Sequence, residues 1–134
     1  MDARSLISGL AIAFVSGSLP AAEPDAHLDV QGTWTMTAYY YDGQRVKYPP
    51  LEYTFLRDEI EVRDEEQRHW WGTWKGKERK IYITAMTRDG MKFKWNCIYE
   101  IRDGKLRLCY SVNRRDWPSK VEVAKGLCLL ELDR

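Results

Sequence analysis

The chain has 134 residues, with 21 Lys and Arg against 20 Asp and Glu and a net charge of +1, a balance that singles out no partner by charge. Once a leader is set aside, about 110 residues remain, enough for one core and too few for two. The 44% hydrophobic share is ordinary, but six Trp and eight Tyr are many for this length, and large aromatics suit strands and ligand surfaces alike.

Residues 1–22 read as a signal peptide: Arg4 supplies a basic start, an apolar run covers 6–19, and Pro20 precedes the small Ala21 and Ala22. The run is shorter than the roughly 18 to 20 residues that cross a bilayer, so the expectation is an exported protein, periplasmic or extracellular, that does not span the membrane. No cysteine follows the run before Cys97, which removes a lipidated N-terminus. Residues 23–29 form a polar linker, and 30–134 are expected to form one domain.

Beyond the linker, short alternating runs are separated by turn residues at close intervals, the rhythm of an all-β sandwich or barrel. In 31–41, Trp34, Met36, Ala38 and Tyr40 make an apolar face and Thr33, Thr35 and Thr37 a polar one, closed by an Asp42-Gly43 turn. Leu51, Tyr53 and Phe55 repeat the alternation, and Ile60 and Val62 continue it. The run 67–75 carries Trp70, Trp71 and Trp74, and 80–86 carries Ile81, Ile83 and Ala85. The clearest hairpin is 91–110, where an Asp103-Gly104 turn pairs Ile101 with Leu106, Tyr99 with Leu108 and Cys97 with Tyr110. Val121 with Val123, then 127–132, supply the last two strands. Eight or nine strands and no helical period suit a closed antiparallel up-and-down barrel, which also leaves no exposed sheet edge.

Five ordered segments carry a resemblance. Val30-Gln31-Gly32-Thr33-Trp34, the turn at Asp42-Gly43, Gly72-Thr73-Trp74, the hairpin from Tyr99 to Tyr110, and Trp117-Pro118 followed by Gly126, Leu129, Leu132 and Arg134 are together similar to an uncharacterised lipocalin-like domain family expanded in planctomycete bacteria. Trp117 stands where that family's pattern has Arg. The resemblance spans 29–134 and implies a secreted or envelope-associated lipocalin-like barrel with no reaction or ligand to carry over. It also implies that Gly32 and Trp34 close one end of the barrel and that Arg134 lies across the indole, a cation-π contact worth about 0.5 to 2 kcal/mol.

The open end is the expected binding region, near Tyr40, Tyr53 and Trp95, and the many large side chains predict a filled core or a narrow cavity. A small apolar or amphipathic ligand there is one reading. The alternative is a filled barrel that recognises a protein or a glycan through its outer face, around His69, Trp71 and the basic strands. Alternation sends Trp70 and Trp71 to opposite faces, so with Trp70 and Trp74 inward Trp71 lies outside beside Tyr39 or Tyr41, unless basic stems such as that of Arg68 cover it. Catalysis is not expected: only His27 and His69 are neutral-pH bases, no nucleophile or phosphate-loop motif occurs, and the carboxylates of 58–66 read as a solvated hairpin. No cofactor, metal or nucleic acid is expected. Cys97, Cys109 and Cys128 lack zinc-ligand spacing. Cys97 and Cys128 are the one pair whose direction permits a disulfide, with three unpaired thiols the default.

Overall fold

Each alternating run has one face to bury, and a sheet buries all such faces at once by closing on itself. In the computed structural model, which describes residues 29–134, the chain does this with nine strands: β1 (Gly32–Tyr41), β2 (Gln44–Arg45), β3 (Glu52–Leu56), β4 (Glu59–Arg63), β5 (Arg68–Lys77), β6 (Lys80–Thr87), β7 (Lys92–Arg102), β8 (Lys105–Ser111) and β9 (Leu127–Asp133). Every pairing is antiparallel, and β9 pairs with β1, closing eight strands into a lipocalin-like up-and-down barrel to which the two-residue β2 is added on β1. The signal-peptide and linker readings lie outside the described residues, apart from Asp29.

The predicted hairpin forms in the predicted register, Ile101 opposite Leu106, Tyr99 opposite Leu108 and Cys97 opposite Tyr110, with Asp103 and Gly104 both at positive φ in the turn. The core holds Trp34, Phe55, Trp74, Ile81, Ile83, Leu106, Leu108 and Leu132, all essentially inaccessible to solvent. Gly72 is required by curvature: a Cβ there would sit 2.0 Å from the Thr84 carbonyl oxygen and 2.6 Å from Ala85 Cα. The sheet bends at this inward-facing position by bringing β5 and β6 backbones closer than any side chain allows.

Two expectations are corrected. The strand expected at Val121 and Val123 does not form; residues 112–126 are instead one long irregular connection from β8 to β9. It runs over the outside of the barrel, burying Pro118 and placing the Lys120 carbonyl 3.5 Å from Cys109 Sγ. Cys109 therefore faces outward, as its register requires, yet is fully buried.

The second correction concerns β1. Opposite β9, Met36 pairs with Leu132 but Ala38 pairs with Glu131, so Thr37 is an extra, unpaired residue. Such a bulge reverses the phase of the residues beyond it. Trp34 and Met36 point inward as expected, but Ala38 and Tyr40 share the outward row of Glu131 and Leu129, while Tyr39 joins Leu130 inside and packs on the core.

All three cysteines are free and buried. Cys97 and Cys128 both face inward but flank Tyr110 on either side in the ladder. Two inter-strand spacings put their Cα atoms about 10 Å apart, beyond the reach of a disulfide.

Candidate functional site

The two ends of the barrel are built differently. At one end lie the start of β1, the end of β9 and the turns at 57–58, 78–79 and 103–104. Here Trp34 is buried and its indole N–H donates to the Val30 carbonyl at 2.8 Å. The Arg134 guanidinium lies 4.0 Å from the indole centroid and donates to the Gln31 and Asp29 carbonyls, each at 2.8 Å. Gly32 adopts φ +119°, and a Cβ there would come within 2.7 Å of Arg134 Nη1. Gln31 also bonds both the amide and the carbonyl of Arg57, tying the β3–β4 turn to this end. Gly32, Trp34 and Arg134 thus form one contact set.

The opposite end carries the long connections, 46–51 and 112–126, and opens into a cavity of about 140 Å³. Its wall contains four tyrosines (Tyr39, Tyr48, Tyr53, Tyr110), two tryptophans (Trp70, Trp95), three aliphatic side chains and Arg114. The rings interlock: Trp95 stacks on Tyr110 at 4.4 Å, Trp70 meets Trp95 edge-on at 5.1 Å, and Tyr53 meets Trp70 edge-on at 5.9 Å. Burial pushes the hydroxyls of Tyr39, Tyr53 and Tyr110 up from the ordinary phenol value, so all three are neutral and protonated across the physiological range. Tyr110 is hydrogen-bonded to Tyr39 and to the Cys128 thiol. Trp95 is buried, yet its indole N–H has no partner among the described residues.

Arg114 stands at the rim. Its guanidinium lies 5.6 Å from the Phe93 centroid and 5.9 Å from that of Trp95, and no carboxylate pairs with it among the described residues. The loop that presents it is ordered by Asn113, whose Oδ1 accepts from the Arg115 and Asp116 amides while its Nδ2 donates to the Asp116 carboxylate. Within that turn Arg114 takes φ +66°, which lifts its side chain over the opening.

Of the three residues expected at the open end, Tyr53 and Trp95 line the cavity. Tyr40 does not: the bulge turns it outside, opposite Arg45, and Tyr39 takes its place. Arg114, which with Arg115 reads in the sequence as a basic pair on a solvated face, was not anticipated at the mouth, although Asn113 and Asp116 beside it are turn formers that mark an ordered loop.

The two outward candidates are committed to local contacts. Trp71 is half-buried between Glu61 and Met86, not beside Tyr39 or Tyr41, and the Arg68 guanidinium lies 4.0 Å over its ring. His69 Nε2 is 2.8 Å from Asp64 Oδ2. The His69 bond, with the Gln67 and Glu66 amides, lowers the Asp64 carboxyl to about 2.

Fold and mouth together define a small, lipocalin-like antiparallel β-barrel, closed at one end by an Arg–Trp contact and open at the other into an aromatic cavity. Comparison with family models, with curated proteins and with solved structures finds no match.

Proposed function

We propose that this barrel is a non-catalytic, exported binding module, a member of the lipocalin-like family its sequence resembles, and that its mouth takes a small amphipathic ligand. The cavity is near the volume of an apolar void that admits a single benzene ring, and below the roughly 300 Å³ at which drug-sized sites begin. One ring or a short branched chain fits it; a long lipid chain does not.

The observation that carries this reading is Arg114, held over an aromatic wall with no carboxylate partner among the described residues. Ring faces receive the apolar part of the ligand, the guanidinium receives an acidic group, and the Trp95 N–H and tyrosine hydroxyls supply further donors. A benzoate-like molecule combines these features. Titration with benzoate, read by tryptophan emission, is expected to give a saturable change that benzyl alcohol reproduces only weakly and that Arg114→Ala abolishes. A flat titration with benzoate, hexanoate and benzyl alcohol alike overturns the proposal.

A further inference from the structure

The outer faces of the barrel differ in how their charges are paired. On β8 and β9, Arg107 bonds Glu131 at 2.8 Å and Glu100 at 3.3 Å, and Lys105 reaches Asp133; on the β4–β5 side, Arg68 pairs with Glu61. Basic groups there face acids on adjacent strands. The outer face of β5, β6 and β7 has no such balance. Lys75 and Lys77 on β5, Lys80 on β6, and Lys92 and Lys94 on β7 all point outward and are exposed, and their cross-strand partners are Tyr82, Ile98, Met86, Thr84 or another of the lysines. Within these three strands no carboxylate occupies these rows; Glu59 and Glu61 of β4 stand beside Thr73 and Trp71 at the far ends of two of them, Glu100 of β7 lies beyond Ile98 and is held by Arg107, and no carboxylate pairs with these lysines among the described residues.

From the row of Ile98 to the row of Lys92 this face runs about 20 Å along the strands and about 10 Å across them. The charges do not converge, so a single small anion cannot neutralise them, whereas an extended chain with repeated negative groups can. Between the lysines lie the exposed neutral hydrogen-bonding groups of Thr73, Thr84 and Tyr82, while Asn96 donates to the Arg115 carbonyl of the outer loop at 2.6 Å. Single-stranded nucleic acid would need ring faces open for base stacking. Here the outward rings already hold partners, Lys80 Nζ lying 5.2 Å over Trp117, Trp117 packing on Tyr82 and Arg68 covering Trp71, although Trp117 and Tyr82 keep 39% and 38% of their surfaces exposed.

We infer that the outer face of β5–β6–β7 binds an acidic polysaccharide, whose carboxylates meet the lysines and whose hydroxyls meet the intervening Thr73, Thr84 and Tyr82. This surface lies on the barrel wall and is independent of the mouth.

The test is binding of the domain to immobilised polygalacturonate at low and high salt, beside a neutral galactan, poly(U) and phosphatidylglycerol vesicles. Polygalacturonate is expected to bind, to release with salt, and to lose affinity about tenfold for Lys75→Glu/Lys94→Glu. A control with the same charge change elsewhere, Lys47→Glu/Arg57→Glu, is expected to bind nearly as the parent does, and circular dichroism checks that both variants fold. Absence of polygalacturonate binding, equal loss in both double variants, or tighter binding to poly(U) or to the vesicles overturns the inference.

Discussion

The two ends of this barrel use the same kinds of residue, an aromatic core and an arginine, for opposite purposes. At the closed end Arg134 has two carbonyls and an indole face to satisfy it. At the mouth Arg114 has rings beneath it and no carboxylate paired with it among the described residues. The lesson is that an arginine over a tryptophan says little by itself; what it donates to decides whether it fastens the chain or awaits something else.

Substitutions can break this comparison, and the largest effect is expected at the closed end. Trp34→Ala removes a buried ring, its bond to Val30 and the platform under Arg134, and is expected to cost about 3 to 5 kcal/mol in urea denaturation. Gly72→Ala comes next, at about 3 kcal/mol, because its Cβ meets the β6 backbone rather than a side chain that can swing aside. Arg134→Ala, in a partly solvated setting, is expected to cost about 1 to 2 kcal/mol by the same measurement. Arg114→Ala should change stability by less than about 0.5 kcal/mol while removing benzoate binding. If Arg114→Ala destabilised as much as Arg134→Ala, the contrast between the ends would collapse.

The smallest effect sharpens a point about the rim. Asp64 is held at about 2 in the fold against an ordinary value of 3.8, so its contribution is fully present above the unfolded value and is lost as pH falls from about 4 toward 2. Asp64→Asn is expected to lower Tm slightly at pH 7 and not at pH 2, as thermal melts at the two values would show.

How much of this was legible in the sequence depended on whether the strand period was kept. Trp34, Phe55, Val62, Trp74, Leu108 and the Asp103-Gly104 turn follow a strict period of two, and the barrel follows from them. Tyr40 was misplaced because a bulge leaves no mark in a run of threonines and tyrosines; the unpaired residue shows only against its partner strand. Val121 and Val123 alternate for too short a stretch to separate a strand from an apolar loop lying on the wall. Gly72 was visible in sequence only as part of a Gly-Thr-Trp motif, since a close backbone approach is a property of two strands together. Arg114 was hidden because its place at the mouth comes from a loop that crosses no ladder.

The bulge at Thr37 also bears on how one stretch of sequence can encode two different openings. Without the extra residue, continuing the lower register of β1 would put Tyr39 outside and Tyr40 within, so the same ten residues contain two alternative mouth walls. The bulge makes the choice between them, and the tip of the hairpin that follows is held by the outer loop. Asp42 Oδ1 accepts from the Gly126 amide at 2.5 Å, and Gly43 sits so close to Ala124 and Lys125 that a Cβ would come within 3.0 Å of each. That contact pins the end of the strand, beyond the bulge, to the outer loop. The identity of the wall is thus a matter of register rather than of composition: one surplus residue selects which of two neighbouring tyrosines faces the cavity.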